Sequence, residues 1–401
     1  MHHFKIIFLI FVASFISCAE ERTDNPPPTD GAYIAHPIPS KMPHPDFESI
    51  EIKAQPIEEA GYLSSLPESL RLLYNFLNED SLEHEQQTID MLTTRKIEIA
   101  FLNKSNLLVL DERDDKIWQY NLKSNKNTEV SGWGKGPGDL IFSKGLAVYN
   151  DKALVSMQGY KISFFNCSTG VCEYKKTIKT DFNNYSISAG ENFFYVLAIP
   201  PFGRDQDSDP TNTSQFTIHK FDYTGKLEKS FLPVYQHRAP LVRDRMVAGG
   251  SINYYPNKSI VTSTFKFYKN VYIYSNKGKL KKKYIITDLK QPYYGYKENS
   301  ERPSGTVMYN DNSSILHSSK IGERWLLLTI KEQRNVEFID LRRGFKGDEW
   351  YAYYAFDINN STLYKIGRDK KTHKPSEVEP VYTTEYGLFV YKDSTLRFYK
   401  I

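Results

Sequence analysis

The side chains with the most chemistry to offer fall in stretches between apolar runs. One stretch holds Arg238, Arg243, Asp244 and Arg245, and another holds Tyr293, Tyr294, Tyr296 and Lys297. Rigid rings interleaved with charges are typical of recognition surfaces. Tyr293, Tyr294, Tyr296 and Lys297, helped by Arg204 and Arg243, are therefore the expected ligand contacts, with exposed turns and tyrosines packed on neighbouring strands as the plainer alternative. Gly132-Trp133-Gly134-Lys135-Gly136-Pro137-Gly138 has the glycine content of a phosphate cradle. However, Pro137 has no N–H to donate, and strand-like Leu140-Ile141-Phe142 follows where a helix start is needed, so a tight crossing between strands is expected instead. Asp205, Asp207 and Asp209 alternate like the opening of a calcium loop, but Pro210 and Phe216 stand where that loop needs glycine and glutamate. The nine histidines lack ligand spacing and there are only three cysteines, so neither a metal nor a cofactor is expected. Cys167 and Cys172 bracket the tight turn Ser168-Thr169-Gly170-Val171; a local disulfide is expected, with two buried thiols as the alternative. No Gly-x-Ser-x-Gly elbow and no His-Glu-x-x-His occurs, which places an enzyme below a binding module and leaves catalytic residues unassigned.

Such groups need a scaffold to hold them. The chain has 401 residues and a formal net charge of +4, which gives no support to nucleic acid as a partner. With 40% hydrophobic and 25% charged residues it is not disordered as a whole. The 29 Tyr and 24 Phe favour half-buried strands, so an all-β globular protein is expected.

Residues 1–17 read as an export signal, with Lys5 ahead of an apolar run, Ile6 to Ile16, that is too short to span a bilayer. Its end, Phe15-Ile16-Ser17-Cys18, resembles the lipobox of bacterial lipoproteins. That resemblance implies lipidation of Cys18, with ordinary cleavage and a bystander cysteine as the alternative. Ala19-Glu20-Glu21 resembles the acidic tract that sends some Bacteroidetes-type lipoproteins to the cell surface. Residues 18–60 are expected to be a proline-rich tether, since seven of the chain's 20 prolines lie between 19 and 46. At about 3.1 Å per residue this proline-rich part would reach roughly 90 Å. The expected location is the outer membrane, held by lipid alone, facing the periplasm or the cell surface.

A helical lead-in is assigned to 61–92. Ser65 and Glu68 have capping-box spacing, Pro67 suits a first turn, and Leu70, Leu73, Tyr74 and Leu77 share a face. From 93 to 401 short strands alternate with polar turns. Hairpin units recur: Leu107–Asp111 with Ile117–Leu122, Ala153–Met157 with Ile162–Asn166, Phe193–Ile199 with Thr217–Asp222, and Ser259–Thr264 with Val271–Ser275. Trp325–Ile330 with Val336–Leu341 and Leu388–Tyr391 with Thr395–Tyr399 complete the set. A propeller blade takes about 40–50 residues, close to the spacing of these units. Six blades are expected, or seven if Trp350 to Ile366 forms its own. An N-terminal strand within Arg95 to Phe101 is expected to close the ring against Thr395–Tyr399.

Leu107 to Tyr120, with Val109, Asp111, Ile117 and Tyr120, resembles the repeat of NHL- and TolB-like propellers. Gly134-Lys135-Gly136-Pro137-Gly138-Asp139 resembles the connector of six-bladed β-propeller lipoproteins of Bacteroidetes. Together they imply a monomeric, lipid-anchored, extracytoplasmic β-propeller with a short N-terminal helix. Its expected role is non-enzymatic binding of a protein, peptide or glycan. A hydrolase or lyase acting on an extracellular polymer, and a structural envelope-assembly component, are the alternatives.

Overall fold

Leu107-Leu108-Val109-Leu110 is apolar on both faces, and each of its residues is at most 1% exposed. A strand of this kind is stable only when both faces are covered. The computed structural model supplies that cover by setting sheets face to face around an axis. It describes residues 33–37, 44, 46–57, 61–78, 86–89, 97–199, 216–234, 249–290, 293–297, 307–308, 311–340, 344–369, 381–392 and 395–401.

The protein is a six-bladed β-propeller. Blade 1 runs from the axis outward through Ile97–Asn103, Asn106–Asp111, Lys116–Asn121 and Lys126–Ser131. Blade 2 comprises Ser143–Tyr149, Lys152–Met157, Lys161–Asn166 and Glu173–Lys179, and blade 3 Asn183–Ala189, Phe193–Ile199, Phe216–Asp222 and Leu227–Pro233. Blade 4 comprises Ser251–Tyr255, Ile260–Thr264, Asn270–Ser275 and Leu280–Ile286, and blade 5 Asn312–Ile321, Trp325–Asp340, Gly344–Asp357 and Thr362–Arg368. Blade 6 comprises Val381–Thr384, Gly387–Lys392, Thr395–Lys400 and, from the N-terminal side of the chain, Gln86–Ile89.

Apolar side chains fill the space between blades, as where Leu108, Leu110 and Ile117 of blade 1 meet Leu146, Val155 and Phe165 of blade 2. Nearer the axis, hydroxyl groups join neighbouring inner strands. Ser186 Oγ accepts from Ile252 N (3.3 Å), Ser188 Oγ from Tyr254 N (3.0 Å) and Ser251 Oγ from Ser318 N (3.0 Å). The turn after the third strand also repeats. Asn121, Asn166, Asp222, Ser275 and Asp357 each place a side-chain oxygen on a backbone N–H two to four residues ahead.

Two pairings differ from expectation. Closure uses Gln86–Ile89 against Leu396–Tyr399, while Ile97–Asn103 is the inner strand of blade 1. Ile89, 2% exposed, brings an apolar side chain to Leu396 and Phe398. In blade 5, Trp325–Asp340 is a single strand paired with Gly344–Asp357, so Trp350 to Ile366 belongs to this blade and a seventh is absent. The polar run after Ile330 reads as a turn, but the ion pair Lys331–Glu349 (2.6 Å) across the hairpin supports it as strand.

The N-terminal part of the chain wraps blades 4 to 6. Ile50–Ile52 adds in parallel to the outer strand of blade 4, and Gln55–Pro56 to that of blade 5. The helix Glu68–Asn78 buries Leu70 and Leu73 beside Ile366 and Val390. The Ser65 hydroxyl donates to Tyr62 O (2.8 Å), turned away from the helix it was expected to cap.

Candidate functional site: the channel mouth

Each inner strand starts on the face where blade-to-blade connections and second-to-third-strand turns open, called the upper face below. Side chains on a strand alternate, and Ile97, Ile99 and Phe101 turn toward blade 6. Glu98 lies between Ile97 and Ile99 near the start of this strand. Its Oε1 lies 3.9 Å from Nδ1 of His317, which follows a bulge in the inner strand of blade 5. Glu112 leaves the turn after Asp111 and pairs with Lys144 of blade 2, Oε2 to Nζ 3.3 Å. Tyr382, from the inner strand of blade 6, lies within the electrostatic reach of both Glu98 and Glu112.

Protonation at the mouth follows from enclosure. About a third of the His317 side chain (35%) is exposed. Burial lowers its pKa to about 4, so the imidazole is neutral near pH 7. The contact with Glu98 is then carboxylate to neutral ring. Burial first, and Glu98 second, raise the pKa of the Tyr382 hydroxyl. The mouth thus combines carboxylates, an ammonium, a neutral imidazole and a phenol, a set that can donate to and accept from a polar ligand.

The blade 5 hairpin rises on the same face and is anchored at its base. Glu332, 6% exposed, accepts from Trp350 Nε1 (2.9 Å) and Tyr354 OH (3.3 Å) and pairs with Arg334 NH2 at 3.3 Å. A buried carboxylate satisfied from three sides is a rigid footing.

Of the expected ligand contacts, Arg204 and Arg243 lie outside the described residues, as does Cys18. Ile199 and Phe216, the strand ends that bracket the first of these arginines, end on the upper face. Tyr293–Lys297, expected in an open connection, is a strand between Tyr33–Pro37 and Val307–Met308. Cys167 and Cys172 are disulfide-bonded with Cα atoms 4.0 Å apart, and lie at the opposite end of blade 2 from the mouth. Glu98, Glu112, Lys144, His317 and Tyr382 were not singled out from sequence. For Glu98 and His317 the signal was a charge or imidazole within or ending an apolar run, as in Ile97-Glu98-Ile99 and Ile315-Leu316-His317, whereas Glu112, Lys144 and Tyr382 carried no such signal.

No family model and no curated protein matches the chain. Among solved structures, it is similar to a member of the DUF4221 family from Bacteroides vulgatus, with 10% identity over 80% of this chain and 96% of that one, TM-score 0.49. It is also similar to a Bacteroides fragilis protein described as exported, with 12% identity over 79% of this chain and 80% of that one, TM-score 0.42. A third is virginiamycin B lyase from Staphylococcus aureus, with 10% identity over 80% of this chain and all of that one (100%), TM-score 0.44. At such identities the likeness concerns fold alone.

Proposed function

We propose that the protein is an exported, lipid-anchored propeller that binds a polar partner at the upper mouth of its channel without transforming it. The observation that carries this reading is the convergence of Glu98, Glu112, Lys144, His317 and Tyr382 from blades 1, 2, 5 and 6. Export is supported by the apolar run Ile6 to Ile16, and anchoring by Ser17-Cys18 ahead of the proline-rich stretch. A disulfide within blade 2 suits an oxidising compartment. One further observation favours a second reading. Two carboxylates beside a neutral imidazole are the groups a hydrolase or lyase needs for proton transfer.

The test has two arms. Cys18→Ala should move the protein from the membrane fraction to the soluble one; unchanged detergent partitioning would sink the anchor. Glu98→Gln should weaken binding of whatever envelope component the domain retains, with that component recovered unaltered. Recovery of a cleaved component from native protein but not from the variant would establish the catalytic reading instead.

A further inference from the structure

Among the described residues ten non-glycine residues have positive φ, and six of them are Asn, Asp or Ser, whose short polar side chains tolerate that region. Two others are aromatic rings left exposed on the upper face: Phe142 (φ +53°, 63% exposed) and Tyr160 (φ +61°, 38% exposed). Both belong to one corner of the ring. Phe142 ends the crossing from blade 1 to blade 2, two residues before Lys144 of the mouth. Tyr160 ends the second-to-third-strand turn of blade 2, and Gln158 of that turn donates its N–H to Phe142 O (2.9 Å).

The backbone under Phe142 is fixed. Asp115, 6% exposed, accepts from Phe142 N (2.9 Å), Ser143 N (2.6 Å) and Ser143 Oγ (2.7 Å) through its two oxygens. The crossing behind it is equally set. A Cβ on Gly134 would fall 2.1 Å from Asp139 Oδ2, and Gly138 (φ +89°) lies against the Tyr174 ring. The crossing also carries Trp133, 71% exposed. Glycine would occupy positions 142 and 160 without strain, and Phe142, the more exposed of the two rings, gains little burial to offset the strain it causes. Fold stability therefore does not account for Phe142, and strain of this kind collects at ligand contacts.

We infer that Phe142 and Tyr160 are a stacking platform for the sugar rings of a glycan whose hydroxyls reach the Glu112–Lys144 pair; this rests on the mouth being the binding site. Single rings separated by polar groups fit a pyranose, which has a flat C–H face and a hydroxyl-bearing rim. Next to the rings stand a carboxylate, an ammonium and Gln158, whose Nε2 donates to Tyr185 OH at 3.2 Å. Because the backbone under Phe142 is fixed before binding, less ordering is needed on contact.

The experiment is calorimetric titration of the full chain with cellohexaose, xylohexaose, mannohexaose and chitohexaose, repeated with Phe142→Gly, Tyr160→Gly, Phe142→Tyr and Glu98→Gln. At least one hexaose should bind. Each glycine variant should lose about tenfold in affinity or more while its melting temperature is unchanged or rises by about 1–3 °C, because strain is relieved. Phe142→Tyr should retain affinity. The inference is overturned if no hexaose binds, if both glycine variants bind as the parent does, or if they melt lower, which would make the rings structural. Loss of hexaose binding in Glu98→Gln alone would keep the mouth as the site and remove the platform. Failure of all four hexaoses, with Glu98-dependent binding of a peptide, would likewise spare the mouth and reject the glycan.

Discussion

Glu98 and His317 approach to 3.9 Å although one belongs to the inner strand of blade 1 and the other to that of blade 5, with all of blade 6 between them in the ring. Two side chains therefore meet past the inner strand of blade 6. Burial pushes the pKa of the His317 imidazole down to about 4.

That shift makes stability depend on pH. The unfolded chain holds the His317 proton up to about pH 6.5, whereas the folded chain releases it above about 4. The stabilising contribution is thus present above 6.5 and is lost as pH falls toward 4. His219, fully buried against Phe182 and lowered to about 3, acts in the same direction. Replacing His317→Gln should reduce the proton uptake on unfolding at pH 5 by about 0.9 proton. Calorimetric unfolding in buffers of different ionisation enthalpy measures this. An unchanged uptake would mean that His317 titrates as it does in water.

Closure of the ring should make the two ends of the chain interdependent. Ile89→Asp puts a charge among Leu396, Phe398 and Phe389, and should cost about 3–4 kcal/mol. Removing the last fifteen residues takes away Thr395–Lys400, the strand that pairs with Gln86–Ile89, together with its neighbour Gly387–Lys392, and should abolish cooperative unfolding. A truncated chain that still melts in one sharp transition would contradict a closed ring.

The parts of the fold that could be read from sequence are those governed by local rules. Five of the six predicted hairpins correspond to second and third strands, because apolar runs such as Phe193–Ile199 must be covered on both faces. The Trp325–Asp340 strand was cut short because Lys331, Glu332 and Arg334 look like a turn until their partners across the hairpin are known. The mouth was unreadable for a related reason. Glu98 and His317 are separated by most of the chain, and only the circular order of blades brings them together. Tyr293–Lys297 looked like a loop because its strand partner, Tyr33–Pro37, lies in a proline-rich stretch that gives no strand signal.

Asp369 should act on stability in the opposite sense to His317. Its Oδ1 accepts from Tyr351 N (2.6 Å), while Oδ2 is buried without a hydrogen-bond partner. Burial first, with Glu349 adding repulsion, raises its pKa to about 7. The folded state then keeps a proton that the unfolded state loses near pH 4, so the benefit is full below 4 and is lost as pH rises through 7. Asp369→Asn should therefore stabilise the protein at pH 8 by about 1–2 kcal/mol, discounted for the partly open site, and do nothing at pH 4. Denaturant titrations at the two pH values compare them directly. An equal effect at both would show that the carboxyl is ionised throughout.

The Cys167–Cys172 bridge and Gln119 should prove to be energetically coupled. The side chain of Gln119 in blade 1, 7% exposed, donates from Nε2 to Gly170 O (2.5 Å) and accepts from Cys172 N (2.9 Å). One amide thus locks the turn of blade 2 onto blade 1, and the disulfide holds that turn in the shape the amide needs. Closing so short a loop is worth about 2 kcal/mol in the chain-entropy model. Gln119→Ala should cost a similar amount, about 2 kcal/mol, since it strands a buried N–H and a carbonyl. If the turn must be shaped before Gln119 can hold it, the losses overlap. The triple variant Cys167→Ser, Cys172→Ser, Gln119→Ala should then be less damaged than the two changes added together, by about 1 kcal/mol. Denaturant midpoints for the four proteins close the cycle, and strict additivity would separate the bridge from the blade contact.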